Sequence, residues 1–571
     1  MRPRTSVAKG ARTFYLVRAD HSPRFLPLED STKRSAASLR NEETRVVIDD
    51  QIAHLRQQIL NMQERIAVLG IERNSIVPIA SLPPELLIRI FGLVAPTNFS
   101  FVRVPALIDL MLVCRHWKDL ASAAHTLWND ITIAGDNSER YFKEHLRLSG
   151  TAPLTIKIFE FDAPYFIPCL FDNATRLKSL ALSTITDTKY LFQFMRRMPS
   201  YEFPVLESLA LNVNLDPSSF PQVVPRNACL PGKLLDGHHL PRLAELSLWC
   251  VGVPLESLPP LRSLDLRGSQ AVAGTRHSIH AILTYLQSCP ELHTLRLSRA
   301  IAGRGVDDLP TVSLPKLELL HTQSLVYDLE DLLTHLTFPP TARLELFTDG
   351  IETGTDIRNM LVPIRRHARA PAAPVALAIS LRVPPATEES QHFCISTYPD
   401  PEPIISLDQK PLLLLNSHPS TARDLRLVMT KVLKALPTDS ITHLDAHGAN
   451  LTRVSWRLAL SLLPSLEEVG LRVEDAGTQF LLGALSSAGN PISRLVIYSL
   501  VDEGDYAETT TPFLSALMRL VHAYDHDGRQ LDRLDIRDRS DGMRLTDTQI
   551  AALRRRVGEF ILNGDSTEED M

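Results

Sequence analysis

Between residues 48 and 69 the apolar side chains fall at Ile48, Ile52, Leu55, Ile59, Met62, Ile66 and Leu69, with spacings alternating four and three. This is a heptad seam, β-branched residues dominating one core position and Leu or Met the other, which suits a parallel two-stranded coil. The same stripe would serve a helix packed on its own protein or on a different partner, so self-association through residues 48–69 stands beside those two alternatives. Gly70 and Pro78 end the pattern. Leu86, Leu87, Ile90, Phe91 and Val94 then predict a helix with a wide apolar stripe. Prolines occupy only its first turn and Glu85 sits at its positive end. A second helix is expected through Leu110, Val113, Trp117, Leu120 and Ala124, with Cys114 and Ala121 beside them. Two such short helices cannot bury their own apolar faces, so a partner surface inside or outside the chain is required.

Further along, L-x-x-L-x-L recurs at Leu177-Leu180-Leu182, Leu206-Leu209-Leu211, Leu243-Leu246-Leu248, Leu261-Leu264-Leu266 and Leu292-Leu295-Leu297. Looser copies follow at Leu317-Leu320, Ile441-Leu444, Leu466-Val469-Leu471, Ile492-Leu495-Ile497 and Leu531-Leu534-Ile536. The end of each unit alternates apolar and polar, as a short strand with one buried face does. Helical stretches separate them: Lys189 to Met198, Ile279 to Cys289, Leu329 to Leu336 and Phe513 to His522. Strand and helix in alternation predict a parallel sheet with helices outside. Unit lengths of 18 to 39 residues, apart from one long gap, favour a solenoid over a closed barrel. Within the gap, Val375, Leu377, Ile379, Leu381 and Val383 read as a half-buried strand. A proline-rich, acidic insertion near 384–411 follows, which reads either as a hairpin with a mobile tip or as a poorly ordered loop.

Two resemblances arise from these residues. The opening "SLPPELLIRIF", the later "LVCRHWKDLA" and the closing Leu127-Trp128 come in the order of the F-box. The connection "APTNFSFVRVPA" is longer than in compact members of that family. The resemblance implies two helices that dock a Skp-type adaptor, itself joined to a cullin scaffold. Leu82, Pro83, Glu85, Leu86, Ile90, Phe91, Val113, Cys114 and Trp117 fall on motif positions. Pro83, Leu86 and Ile90 are the apolar anchors expected to matter most, while Trp117 serves either the partner or an internal contact with Phe91. The repeats resemble leucine-rich repeats, but the asparagine three residues after the last leucine is present only as Asn214. Ile185, Val251, Ser269 and Ala300 stand there in the other clear copies. The order of coil, F-box and repeats is similar to the expanded F-box families of mushroom-forming fungi.

Composition and charge restrict the alternatives. Of 571 residues 44% are apolar and 22% charged, as in a folded protein, and 40 prolines suit many short elements. A net charge of −6 provides no basic stripe for nucleic acid, and no run of 18 apolar residues spans a membrane. Six cysteines without a CxxC pair offer neither a zinc cluster nor a redox motif, and fit a reducing, cytoplasmic or nuclear setting. Residues 1–40 hold nine Lys or Arg against three Asp or Glu and read as a disordered basic tail, with an organellar leader as the alternative. No phosphate-binding, metalloprotease or nucleophile-elbow motif is present; "YDHDGRQL" lacks ligands for calcium, and His238 with His239 make a poor metal pair.

The expectation is therefore an α/β chain: a short coiled-coil helix (41–77), a helical F-box (78–133), an irregular leucine-rich-repeat-like solenoid (134–560) and an acidic tail (561–571). It is expected to be a non-enzymatic substrate receptor of an SCF-type ubiquitin ligase, with no cofactor and no metal, that captures an unknown protein target. An F-box scaffold without ligase activity is the alternative. Arg262, Asp265, His293, Arg296 and Asp535 are candidate target contacts as exposed strand positions.

Overall fold

The computed structural model describes residues 31–94, 105–134, 138–184, 188–213, 229–235, 237–269, 272, 274–303, 308–351, 357–383, 393–400, 410–419, 422–473, 477–487, 492–499, 506–538 and 545–562. Its first element, α1 (Ser31–Ser75), begins inside the segment expected to be a tail. The seam residues from Ile48 to Leu69 are all exposed.

Most of the chain builds one long sheet. Its first strands are β1 (Asp130–Ile133), β2 (Leu154–Ile158), β3 (Leu177–Thr184), β4 (Ser208–Val213), β5 (Glu245–Trp249), β6 (Ser263–Arg267) and β7 (Thr294–Ser298). They pair in chain order, all parallel. A two-residue strand, β8 (Val312–Ser313), pairs apart from the sheet with β10 (Leu336–Thr337), while β9 (Leu319–Ser324) and β11 (Arg343–Ile351) continue the parallel array.

Leucines hold the register. Ile156, Leu180, Leu209, Leu246, Leu264, Leu295, Leu320 and Leu344 stand opposite one another on successive strands, all buried. Because side chains alternate along a strand, a slip of one residue would turn this whole row to the other face. Helices such as Ile279–Leu286 and Val326–His335 cover the buried face with Ile282, Leu286, Leu329 and Leu333 and share one continuous core with the strands. At two of the positions where the repeat's asparagine is missing, Val251 and Ala300 are buried instead. The residues just before them, Cys250 and Arg299, take left-handed φ values of 55° and 52° to leave the strand.

The long gap in the repeat proves to be continuous sheet. β12 (Ala378–Arg382), β13 (Phe393–Tyr398) and β14 (Leu413–Pro419) enter it in reverse spatial order: β14 pairs parallel with β11, β13 lies antiparallel between β14 and β12, and β12 pairs parallel with β15 (His443–Asp445). From there β16 (Glu468–Arg472), β17 (Arg494–Ser499), β18 (Leu531–Asp538) and β19 (Val557–Leu562) return to chain order. The strand at 375–383 is β12, with Ile379 and Leu381 in the core; on its other face Ala378 and Ser380 are also enclosed, Ser380 against Asp445, while Arg382 and the preceding Val375 are exposed. One expectation is corrected here. The middle of the proline-rich insertion is β13, with Phe393 and Ile395 in the core; its flanks at 384–392 and 401–409 lie outside the described residues.

Candidate functional site

Between α1 and the sheet lies a small helical module. Its first helix, α2 (Pro84–Val94), starts where the Pro83 carbonyl accepts from the Leu86 and Leu87 amides at 3.0 and 3.2 Å. Proline suits this start because the first-turn N–H has no helical partner. The single second helix expected from periodicity is instead two, α3 (Pro105–Val113) and α4 (Arg115–Ala123). They break at Cys114, whose extended backbone (φ −159°, ψ 166°) lets its sulfur accept the Trp117 amide at 3.5 Å and so cap α4. A cap of this kind replaces a donor that the preceding turn cannot satisfy. The Cys114 side chain is thus half-buried and turned along the chain, a role the apolar pattern concealed.

Leu87, Phe91 and Ala121 form the module's own core, with Leu82, Leu110, Met111, Trp117, Leu120 and Leu127 around them. Phe91 and Trp117 meet at 4.9 Å with rings tilted by 57°, the offset geometry that aromatic pairs favour. Phe91, fully enclosed, cannot touch a partner while the module stays closed; Trp117 is half-buried against it. The indole N–H of Trp128 donates to the Ala121 carbonyl at 2.7 Å, and its ring stands edge-on to His145 of α5 (Ser138–Leu148) at 5.0 Å. This residue fastens the end of α4 to the helix that packs on β1.

What the module leaves uncovered is apolar. Leu86 is 46% exposed, Val113 58% and Leu112 77%; Leu93, Val94 and Ile108 are exposed as well. Among the nine motif residues, Pro83, Glu85, Leu86 and Val113 are exposed, Leu82, Ile90, Cys114 and Trp117 half-buried, and Phe91 buried. The motif passes over Leu93, Ile108 and Leu112. Their signal lies in α3, "PALIDLMLV", whose one charged residue is Asp109; a nine-residue helix apolar all round cannot hide every face. Fully burying one such side chain is worth about 1.5–3 kcal/mol.

A second polar constellation lies on the open face of the sheet, where the sequence offered no motif. The Ser380 hydroxyl donates to Asp445 at 2.8 Å, and Asp445 also accepts from the backbone N–H of His447 at 3.1 Å and contacts its ring Nδ1. Burial raises the Asp445 carboxyl, but these hydrogen bonds win and hold it below the usual carboxylate range. The composition is Ser, Asp and His, yet Ser380 points at the acid and not the imidazole, so the three are not in the order of a Ser–His–Asp triad. Of the strand positions expected to be exposed, Arg262 is exposed, His293 and Arg296 are half-buried, and Asp265 is bound by Arg267 at 3.1 Å. Asp535 is only 2% exposed, because Arg533 and Arg537 close over it at 3.5 and 3.0 Å. Among the described residues no group of His, Cys, Asp and Glu is arranged to hold a metal, and no helix is long and apolar enough to cross a membrane.

Compared with known families, residues 79–134 match the F-box-like family model. No curated protein matches the chain. Among solved structures it is similar to a chain of the crystal structure of the Rad7 and Elc1 complex in yeast, at 12% identity over 78% of this chain and 94% of that chain. The TM-score of 0.24 is too slight for that likeness to carry the fold or the function.

Proposed function

We propose that the chain is the substrate receptor of an SCF-type ubiquitin ligase. The module at 79–134 docks a Skp-type adaptor bound to a cullin, and the open face of the long sheet holds a protein target. The observation that carries this reading is the coincidence of the F-box-like match with an uncovered apolar surface on α2 and α3, at Leu86, Leu112 and Val113. The nine motif residues divide in this reading: Pro83, Glu85, Leu86, Ile90 and Val113 meet the adaptor, while Leu82, Phe91, Cys114 and Trp117 set the helices that present them. The repeats are of the leucine-rich type without their asparagine row, as in the expanded fungal families, and the working compartment is cytoplasmic or nuclear. The seam on α1 joins two copies of the chain, which would give the receptor two target-binding faces and an avidity no single face has.

Tagged full-length chain purified from its own cells tests the assignment. Recovery of both a Skp-type adaptor and a cullin is expected. An adaptor without a cullin would favour the alternative, an F-box scaffold without ligase activity; neither protein would contradict both readings.

A further inference from the structure

We propose that the open face of the sheet across β12 and β15–β18 is a binding site for an acidic, carboxylate-rich peptide segment of a partner protein. The inference rests on reading the sheet as the target-binding surface, and it names the chemistry of what is bound there.

The site is built over a glycine. At Gly470 a Cβ would lie 3.9 Å from the Tyr498 ring and 4.0 Å from the His447 ring, so the two aromatic groups converge over a position that has no side chain of its own. Their ring centroids are 5.0 Å apart. Arg472 stands opposite Tyr498 in the parallel register, and Tyr498 opposite Arg537, whose guanidinium lies 5.5 Å from the tyrosine ring. Arg382 comes from β12, one residue before the Val383–Ala449 bridge that ties this strand to the loop carrying His447.

Three arginines thus share the upper row of this face, and the carboxylates of Asp445 and Asp535 sit one row lower, Asp535 engaged through Oδ2 with its Oδ1 unpaired. Asp445 is held by Ser380 and His447, and Asp535 by Arg533 and Arg537. Among the described residues neither Arg382 nor Arg472 forms an ion pair. The Nε of Arg472 is buried without a hydrogen-bond partner. Buried donors and acceptors left unpaired are costly, and a guanidinium is shaped to take a carboxylate through two parallel bonds. A peptide bearing several Asp or Glu side chains, laid across the strands, supplies acceptors to Arg382 and Arg472, which stand two strands apart, at roughly twice the 4.8 Å strand spacing.

The test is fluorescence anisotropy of the full-length chain with three labelled peptides of one length: Asp/Glu-rich, Lys-rich, and phosphoserine-containing with no other acid. Wild-type chain is compared with Arg382→Gln/Arg472→Gln and with Arg140→Gln, on the exposed side of α5, as a control off the site. Saturable binding of the Asp/Glu peptide, weakened by salt, is expected. The double variant should lose at least about tenfold in affinity and the control nothing. All variants should keep the wild-type melting profile and the same adaptor binding, which separates this site from the docking module. Equal affinity for acidic and basic peptides would overturn the proposal, as would an unchanged double variant or binding of the phosphopeptide alone. So would binding that appears only after residues 563–571 are removed, because the site would then belong to the chain's own "GDSTEEDM" segment.

Discussion

Replacing Leu264 by alanine probes the feature that orders the long sheet. Leu264 is 1% exposed and stands between Leu246 on β5 and Leu295 on β7, within the unbroken row from Ile156 to Leu344. Truncation removes the buried branched end of the side chain and leaves a cavity whose walls are pinned by backbone ladders on both sides. Collapse is therefore limited, and a cost of about 3–4 kcal/mol is expected, within the 2–5 kcal/mol usual for such changes. In a solenoid each unit is stabilised mainly by its neighbours, so the loss should stay local. Hydrogen exchange is the suitable assay: amides of β5, β6 and β7 should lose roughly 150- to 700-fold in protection, with β16–β18 unchanged. Ser263→Ala, at a half-buried position on the opposite face of β6, should shift protection by less than about 0.5 kcal/mol. An equal loss of protection across β16–β18 would refute the nearest-neighbour reasoning, and no loss at β5–β7 would refute the packing.

Three further outcomes follow from the geometry. Burial pushes His145 down from 6.5 to about 4, so between those pH values the unfolded chain binds a proton that the folded chain does not. Its contribution is complete above pH 6.5 and is lost as pH falls toward 4, at up to about 1.4 kcal/mol per pH unit; His145→Gln should flatten that part of the stability–pH curve measured by urea unfolding. A Cβ at Gly268 would lie 2.4 Å from the Arg299 carbonyl oxygen, so Gly268→Ala should destabilise by about 1–3 kcal/mol in thermal or urea unfolding, and a neutral outcome would mean that this turn is free to move. Ile59→Lys, at the middle of the exposed α1 seam, should halve the mass seen in sedimentation if two copies pair there and leave the fold intact; a wild-type monomer would dismiss the pairing.

Each repeat whose leucines recur at fixed offsets was legible: all ten copies fall on strands of one sheet, parallel except at β13. The period of two fixes which residues are buried, and neighbouring copies repeat it in register. Strands that lack this signature escaped. β1 and β2 carry isoleucine in place of leucine, and β13 lies inside "ATEESQHFCISTYPDPEP", where local composition spoke for a loop while tertiary pairing on both sides imposed a strand. In the helical module, periodicity placed the apolar residues but could not show that the chain breaks at Cys114. It also left open which apolar residues face inward: Phe91 and Leu86 look alike in the pattern and lie on opposite sides of the module's surface. The Ser380–Asp445–His447 group joins residues from β12, β15 and the following loop, far apart in sequence and brought together by the reversed strand order, which no spacing rule anticipates.

The central claim is that α2 and α3 dock an adaptor through their uncovered apolar side chains. Calorimetric titration of a purified Skp-type adaptor into the full-length chain tests it most directly, comparing wild type with Pro83→Ala/Leu86→Ala. Both replaced side chains are exposed, so the double variant should melt as the wild type does. The account predicts saturable binding by the wild type and a loss of at least about tenfold in the variant, the effect of removing a hot-spot contact worth 1.4 kcal/mol or more. Undiminished binding by a folded double variant would contradict the assigned face, and no binding by the wild type would contradict the docking function itself.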